Sequence, residues 1–406
     1  MLSWPSVERS PGPLSGIRVL DLSRVLAGPY ATMLLADLGA DVIKVEHPDG
    51  DEPRRWGPPF LGGTAVYHLA MNRNKRSLRL DLKDPDDCSV ARQLAASADV
   101  IVENFRPGSL AAFSLDADSV RVDNPGCVYC TISAFGSDSE LRMRPGYDLV
   151  VQAMGGIMGV TGEPGRPPVK VGVPNADLAA GMYATVAVLA ALFQREHERE
   201  NKAPGRDVEV ALLDAQVAFL ANQSMNWLAG GMDPQPLGSD HPNVAPYGAF
   251  ETGTGFIVVA VGNDKHFRQL CAAVGRPAWA EDPRFASNGL RVQHREVLRA
   301  ELTNVLKASP SAYWLDTLTA SGVACGPVRS ISEVFADPLV TERMVRTVPD
   351  PVVGEVPQVL SPFRFDGKSS PIDLPPPSLG SHDDDIRAHF ELPSRHDAAA
   401  LEVDDG

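Results

Sequence analysis

Two aspartates stand where a carboxylate could do chemistry. Asp177 directly precedes LAAGMYATVAVLAALFQRE, a nearly all-apolar stretch typical of a helix of about 18 residues. An aspartate at this place is expected to be the N-cap, accepting hydrogen bonds from free N–H groups, while the helix terminus keeps it ionised. An ionised carboxylate held in one orientation is also what a covalent nucleophile requires. Capping is the commoner role, so position alone does not choose between the two.

The second carboxylate is Asp148, 29 residues earlier in the segment GYDLVVQAMGG. Asx turns after Gly-Tyr are common, so a structural role is the default for this residue as well. If the two carboxylates share a site, one could be the nucleophile and the other could orient it or exchange protons with it. Their spacing in the sequence does not bring them together by itself.

A basic cluster, Arg73, Lys75 and Arg76 in MNRNKRSLRL, is unusual in a chain with 37 Lys and Arg against 52 Asp and Glu. Lys and Arg commonly guard exposed strand edges, which is one explanation. The other is a phosphate-binding site, because several positive donors beside strand-end loops suit a ligand that carries phosphates. The net charge of −15 argues against nucleic acid and anionic membranes as partners.

Other common site types lack their sequence signatures. The nine histidines give no metal-binding spacing, and no G-x-S-x-G motif is present, so neither a metal centre nor a hydrolase elbow is expected. The first strand-to-helix loop carries Gly28 but not G-x-G-x-x-G, which disfavours NAD binding. Cys127 and Cys130 form a C-x-x-C inside a strand-like run without a second pair, so we expect buried thiols.

The segments around these residues predict an open α/β sheet. GIRVLDL, ADVIKVEHP, ADVIVENF and GCVYCTISAFG have strand patterns and alternate with helical segments, which indicates a Rossmann-like parallel sheet. Ligands of such sheets bind at the carboxyl ends of the strands. Later in the chain, AFETGTGFIVVAVGND predicts a hairpin that opens a smaller α+β domain.

Several segments occur together, in order, in one known family. They are GIRVLDLSRVLAGPYATMLLADLGADVIKVEHP, NRNKRSLRLDLK, ADVIVENFRPG, GYDLVVQAMGGIMGVTGEP, and GVPNADLAAGMYA followed by GRDVEVALLDAQ. Over residues 14–390 the chain closely resembles the class III CoA-transferase family, which includes formyl-CoA transferase, carnitine CoA-transferase and the related α-methylacyl-CoA racemases. The match is specific because separate motifs keep their register.

The resemblance implies that Asp177 is the catalytic nucleophile. Its carboxylate would attack an acyl-CoA thioester, giving an aspartyl mixed anhydride and CoA thiolate. The thiolate would return to form an aspartyl-CoA thioester and free the donor acid, and the acceptor acid would then take the CoA through a second anhydride. The substrates implied are an acyl-CoA, possibly succinyl-CoA, and a carboxylic acid, with no metal and no NAD.

The resemblance also assigns residues to the CoA site. By position in the motifs these are Val25, Ala27, Met71, Lys75, Asn104 and Phe105, to which the charge of the basic cluster adds Arg76. Formyl-CoA transferase has Gln where Leu26 stands and Arg where Ala112 aligns, and YGAFETGTGF lacks its glycine-rich lid. Formyl or oxalate specificity is therefore not expected.

Tyr147 separates the transferase from its main rival. Racemases of the family carry His directly before the Asp of the GYD turn and use it to move an α-proton. A phenol at this position is a poor base at neutral pH, so Tyr147 favours a transferase, with Tyr147 and Asp148 as further candidates for the catalytic site. The alternatives are a racemase-type isomerase and a non-catalytic acyl-CoA-binding homologue, and the intact Asp177 motif argues against the latter.

The resemblance further implies an interlocked homodimer, whose large domain is built from both ends of the chain. No signal-peptide pattern opens the sequence, and we expect a cytoplasmic protein without a membrane partner. The predicted boundaries are 14–231 for the large CoA-binding domain, 232–248 for a linker, 249–336 for the small α+β domain, 337–393 for a return segment completing the large domain, and 394–406 for a polar tail.

Overall fold

The structure is a computed structural model that describes residues 4–5, 7–198 and 204–391, so the predicted tail at 394–406 lies outside the described residues. The chain divides into two compact units. The first unit consists of Met1–Gly155, Gly172–Phe219 and Thr341–Gly406, and the second consists of Gly156–Val171 and Leu220–Val340.

The elements have the following bounds. The strands are β1 (Arg18–Asp21), β2 (Asp41–Glu46), β3 (Phe60–Leu61), β4 (Thr64–Ala65), β5 (Lys75–Arg79), β6 (Val100–Glu103), β7 (Val128–Ser133), β8 (Asp207–Ala211), β9 (Tyr247–Thr252), β10 (Gly255–Ala260), β11 (Ala324–Pro327), β12 (Val345–Asp350), β13 (Gly354–Val359), β14 (Arg364–Phe365) and β15 (Lys368–Ser369). The helices are α1 (Ala27–Asp37), α2 (Val66–Leu69), α3 (Pro85–Ser97), α4 (Ala117–Asp123), α5 (Asp148–Met154), α6 (Ile157–Val160), α7 (Asn175–His197), α8 (Leu212–Ala218), α9 (Asn222–Leu228), α10 (Asp264–Ala273), α11 (Asn288–Gln293), α12 (Arg295–Leu306), α13 (Ser311–Ala320), α14 (Ile331–Ala336), α15 (Pro338–Met344) and α16 (Asp383–His389).

The first unit is organised around a six-stranded parallel sheet in the order β5-β2-β1-β6-β7-β8. Successive residues of β1 face opposite layers: Val19 packs in the cluster that contains α1 and α7, and Leu20 packs in the cluster that contains α3 and Ile386. Strands covered on both faces need near-continuous apolar runs, which the sequence supplies. The predicted α/β architecture with a parallel sheet is therefore confirmed.

The returning chain covers the edge of this sheet at β5. The backbone N–H of Asn74 donates to the carbonyl of Leu374 at 3.0 Å, and the N–H of Arg79 donates to the Asp383 carboxylate at 2.8 Å. Lys75 and Arg76 are buried and paired with Asp21 and Asp41. The explanation of the basic cluster as a solvated strand edge is thus wrong, because these side chains are not in contact with water.

The second unit also contains two segments, residues 156–171 and 220–231, that the sequence analysis assigns to the large domain. The reason is local pairing: the N–H of Gly238 donates to the carbonyl of Gly162 at 2.8 Å, and Leu220 side-chain atoms lie beside Gly156. The chain rejoins the first unit at Thr341, four residues after the predicted position.

Helix α7 is the long apolar helix anticipated after Asp177. Its 23 residues are long and apolar enough to cross a membrane, yet half of the relevant window is buried inside the protein. Ala180, Ala184 and Val188 lie in the same core cluster as α1 and the sheet. This burial is the behaviour of a core helix.

The second unit contains a three-stranded antiparallel sheet in the order β11-β10-β9. Strands β9 and β10 form the predicted hairpin, with Thr252 paired to Gly255 across the turn. Its core is built around Phe250, Ile257 and Phe267.

The C-x-x-C pair begins one residue before β7. Cys127 and Cys130 are both buried free thiols, as predicted. Burial raises the pKa of each thiol to about 12, so both stay protonated and unreactive at neutral pH.

Candidate active site

Asp177 lies inside the first turn of α7 and is not its N-cap. The helix begins at Asn175, and Pro174 occupies the cap position. The side chain of Pro174 accepts no hydrogen bond from the first turn. The predicted capping role of Asp177 is therefore wrong. A Pro-Asn pair starts the helix three residues earlier than the apolar pattern, which begins at Leu178, indicates, so the Asp177 side chain is not used as the cap.

Asp148 supplies the missing cap from a different helix. It is the first residue of α5, and its Oδ1 accepts from the backbone N–H of Ala176 at 2.8 Å and, more weakly, from that of Asp177 at 3.5 Å. Its Oδ2 accepts from the side-chain amide of Gln152 at 2.7 Å. The two carboxylates that the sequence could not place together thus meet at the start of α7.

The environment of Asp177 favours its protonated form. Burial is the main cause and the nearby negative charge of Asp148 the second, and together they raise the pKa of Asp177 to about 7. Desolvation and the like charge thus oppose the ionisation that a helix N-terminus favours. Both protonation states are populated near neutral pH, which suits a group that must gain and lose negative charge during a reaction.

Tyr67 on α2 is near enough to both carboxylates for their charges to act on it, and no sequence motif points to this residue. Burial, followed by the charges of Asp177 and Asp148, raises the pKa of Tyr67 to about 12. Its ring packs edge-on against Trp56, with ring centroids 5.4 Å apart. The phenol therefore remains a hydrogen-bond donor at neutral pH. It precedes Asp177 by 110 residues without any motif linking them.

Asp177 opens into a cavity of about 500 Å³ at the carboxyl ends of β1, β6 and β7. Tyr147, more than half exposed, lies in the same wall. The lining includes four of the residues predicted to contact CoA: Val25, Ala27, Asn104 and Phe105.

Hydrogen bonds join the loops after β1 and β6 into one wall of the cavity. The Asn104 amide oxygen accepts from the backbone N–H of Arg24 at 2.8 Å, and the Asn104 amide nitrogen donates to the Arg24 carbonyl at 2.7 Å. The Arg24 guanidinium lies over the ring of Phe105, 4.7 Å from its centroid. Asn104 therefore shapes the cavity as well as lining it.

Four arginines make the cavity strongly basic. They are Arg24, Arg106, Arg142 and Arg144, each following the end of a strand. Within the described residues none of them is in an ion pair with a carboxylate, whereas Arg54 is paired to Glu46. The lining contributes only Glu52 and Asp177 as acidic side chains. The sequence analysis misses these arginines because they are spread over three loops, with only Arg142 and Arg144 in the same one, although their position after strand ends was an available signal.

The predicted basic cluster does not contribute to this cavity. Lys75 Nζ, fully buried, donates to Asp21 at 3.0 Å, to the Pro29 carbonyl at 2.8 Å and to Asn72 at 2.9 Å. Arg76 pairs with Asp41 at 2.7 Å. Both charges are thus paired with carboxylates in the interior, and neither residue lines the cavity.

Met71, the remaining predicted CoA contact, is partly exposed and not among the residues that line the cavity. Among the described residues there is also no group of three or more His, Cys, Asp or Glu side chains that could hold a metal ion.

Comparisons with known proteins agree with this architecture. Residues 14–383 match the family described as CoA-transferase family III. The chain is 44% identical to the succinate–glutarate CoA-transferase of Agrobacterium fabrum, covering 94% of this chain and 97% of that protein. It is 38% identical to the human succinyl-CoA:glutarate CoA-transferase, covering 91% and 84% respectively.

Solved structures give the same result. A CAIB/BAIF family protein from Brucella suis superposes with a TM-score of 0.82 at 40% identity, covering 94% of this chain and all of that one. A hypothetical protein from Mycobacterium tuberculosis has a TM-score of 0.81 at 33% identity, covering 93% of this chain. Sequence, fold and the position of the cavity at the strand ends converge, and the chain belongs to CoA-transferase family III.

Proposed function

We propose that this protein moves CoA from an acyl-CoA donor to a carboxylic acid, with Asp177 carrying the group between them. The observation that carries the proposal is that Asp177 opens into the same cavity as four arginines, none of which has a carboxylate partner in the part of the chain that the structure describes. A phosphate-rich thioester needs both a basic binding surface and a nucleophile beside it. The names of the related CoA-transferases support the same reaction class.

The proposed chemistry is a covalent relay. The Asp177 carboxylate attacks the thioester carbonyl and expels CoA thiolate, leaving an aspartyl mixed anhydride. The thiolate attacks the aspartyl carbonyl of the anhydride, which releases the donor acid and leaves an aspartyl-CoA thioester. The acceptor carboxylate attacks that thioester, and the thiolate then attacks the acceptor carbonyl of the second anhydride, freeing Asp177. An anhydride conserves the energy of the thioester, which an ordinary ester would lose.

Neighbouring groups have distinct parts in this scheme. Asp148 holds the start of α7 through Ala176 and keeps Asp177 oriented. The raised pKa of Asp177, caused by burial and then by Asp148, makes its carboxylate more basic than an exposed one. The Tyr67 phenol, protonated at neutral pH, is a donor for the negative charge that develops during each attack. Tyr147 contributes cavity wall beside the reacting carboxylate.

The CoA would lie along the strand-end loops. Val25, Ala27, Asn104 and Phe105 provide the walls, and the four arginines provide positive charge for the phosphates. Among the related enzymes, those from Agrobacterium fabrum, humans and Haloarcula hispanica are named for succinate or succinyl-CoA together with glutarate or mesaconate. We therefore propose succinyl-CoA as donor and a dicarboxylic acid as acceptor.

We also propose that the protein acts in the cytoplasm as an interlocked homodimer. Helix α7 presents large apolar side chains that the described residues leave exposed, with Val186 at 64% and Phe193 at 70% exposure. Exposed apolar faces of this kind mark protein contact surfaces. A second copy of the chain is the occupant expected from the family resemblance.

A donor-by-acceptor panel tests the reaction, with CoA exchange followed by mass spectrometry. Wild-type protein should transfer CoA from succinyl-CoA to a dicarboxylate, and Asp177→Ala should abolish transfer while still binding CoA. Transfer at the wild-type rate by Asp177→Ala would refute the role of Asp177. Running the panel in deuterium oxide identifies a racemase-type isomerase, which would exchange the α-proton of the acyl group without moving CoA.

A further inference from the structure

Val25 has an unusual backbone conformation in the wall of the cavity. Its φ is +70°, in the left-handed region that a β-branched residue rarely adopts. Ser23 and Gly28 also approach each other closely across this turn, because a Cβ on Gly28 would lie 2.2 Å from the Cβ of Ser23. Strained residues persist only where surrounding groups enforce them, and they cluster at functional sites.

The group that enforces this turn is the carboxylate of Asp51. Both of its oxygens lie 3.2 Å from the backbone nitrogen of Val25, which donates to them. Asp51 is buried, and its own backbone N–H donates to the Glu46 carboxylate at 3.1 Å, which ties it to the end of β2. The hydrogen bond to Val25 therefore comes from a rigid part of the sheet.

Lys44 on β2 completes the arrangement. Its fully buried ammonium lies 3.1 Å from Asp51 Oδ2 and donates to the carbonyl of Ser23 at 2.8 Å. Burial acts to lower the pKa of Lys44, but the charges of Asp51, Asp21 and Glu46 prevail and raise it above its ordinary value. The pair remains charged and holds the loop at two points, Ser23 and Val25.

We infer that Asp51, supported by Lys44, is a positioning residue that holds Val25 in its left-handed conformation and thereby keeps the cavity wall in the shape that binds CoA. Asp51 acts through the backbone of Val25 and does not itself line the cavity. This inference rests on the proposed function only in taking CoA as the ligand. It concerns binding and not the covalent relay.

The test is CoA binding by calorimetry with Asp51→Ala, alone and combined with Val25→Gly. Asp51→Ala should weaken CoA binding about ten-fold, because a loop that must adopt a costly conformation unaided is seldom in its binding shape. Glycine adopts positive φ without strain, so in the Val25→Gly background the same loss of Asp51 should cost much less affinity.

Asp87→Ala is the matched control. Asp87 is also buried, accepts from a backbone N–H, that of Asp81 at 2.8 Å, and pairs with a buried cation, Arg387 at 2.6 Å. It should lower the melting temperature without changing CoA affinity. If Asp51→Ala does not fold because Lys44 loses its partner, Lys44→Met combined with Asp51→Ala removes both charges, and this variant should recover stability but not affinity.

The outcomes separate the two proposals. Two results would overturn the positioning role and leave the proposed function intact. One is wild-type CoA affinity in every folded variant that lacks Asp51. The other is an equal loss of CoA affinity on removing Asp51, whether position 25 is Val or Gly. A wild-type protein that binds no CoA would overturn both. CoA binding without transfer would overturn the proposed function alone, and the comparison of the Asp51 variants would still decide this inference.

Discussion

The carboxylate of Asp148 accepts a hydrogen bond at 2.8 Å from the backbone N–H of Ala176, the residue before the proposed nucleophile. One contact thus orients the start of α7 and places a negative charge beside Asp177. The orientation stabilises the site, whereas the charge, after burial, raises the pKa of Asp177 to about 7. The same residue therefore controls both where the nucleophile lies and when it is ionised.

The rate of the first covalent step should depend on pH through Asp177. Only the ionised carboxylate attacks, so the single-turnover rate should rise with pH through about 7 and level off above it. Asp148→Asn removes the negative charge but retains an oxygen that can accept from Ala176, so the rising limb should move to lower pH. Rapid-quench detection of the aspartyl-CoA thioester measures both profiles.

The control for this experiment is Asp207→Asn, which removes an exposed carboxylate paired with Arg121. Its profile should match that of the wild type. An unchanged profile for Asp148→Asn would show that its charge does not act on Asp177.

Lys75→Met should lower the free energy of unfolding without changing the affinity for CoA. It removes the cation that is bonded to the buried carboxylate of Asp21, and breaking a buried pair costs about 3–5 kcal/mol. Urea denaturation measures the loss. Weaker CoA binding by the folded variant, with stability unchanged, would restore the phosphate-binding interpretation of Lys75.

Arg106→Gln should weaken CoA binding and reduce its dependence on salt. Arg106 lines the cavity and has no carboxylate partner among the described residues, so its charge is available to a phosphate. Titrations at low and high salt measure the effect. Arg284→Gln is the control, because Arg284 is on the second unit and paired with Asp282. Equal affinities for the two variants would remove Arg106 from the binding site.

Val186→Asp should weaken the proposed homodimer. The substitution puts a charge on the exposed apolar face of α7 without disturbing the core, since Val186 is 64% exposed. Sedimentation velocity over a range of concentrations measures the association. Asp123→Asn, a charge change on α4, serves as the control, and a Val186→Asp protein as strongly dimeric as wild type would place the contact elsewhere.

The fold was largely predictable because it depends on repeated local patterns. Apolar strands alternating with helices indicated the parallel sheet, and the spacing of two short strands indicated the β9–β10 hairpin. The position of Asp177 at a helix start was also accessible. Its exact place in the turn was not, because Asp148, far away in the sequence, satisfies the N–H groups that Asp177 was expected to cap.

Site residues that directly follow a strand could be predicted from the sequence. Residues whose role depends on burial were harder to predict. Asn104 and Phe105 directly follow β6 and reach the cavity. The burial of Lys75 could not be predicted, because only the three-dimensional packing brings Asp21 next to it. Tyr67 could not be found because proximity in space, without any spacing rule, joins it to the two carboxylates.

The bonds between β5 and the returning chain join residues about 300 positions apart, as in Asn74 to Leu374 and Arg79 to Asp383. During synthesis the strand edge at β5 therefore remains unpaired until nearly the whole protein has left the ribosome. A nascent chain with an open edge can pair wrongly with another chain. Chains truncated before Leu374 should consequently aggregate during expression, even though every residue around Asp177 is present.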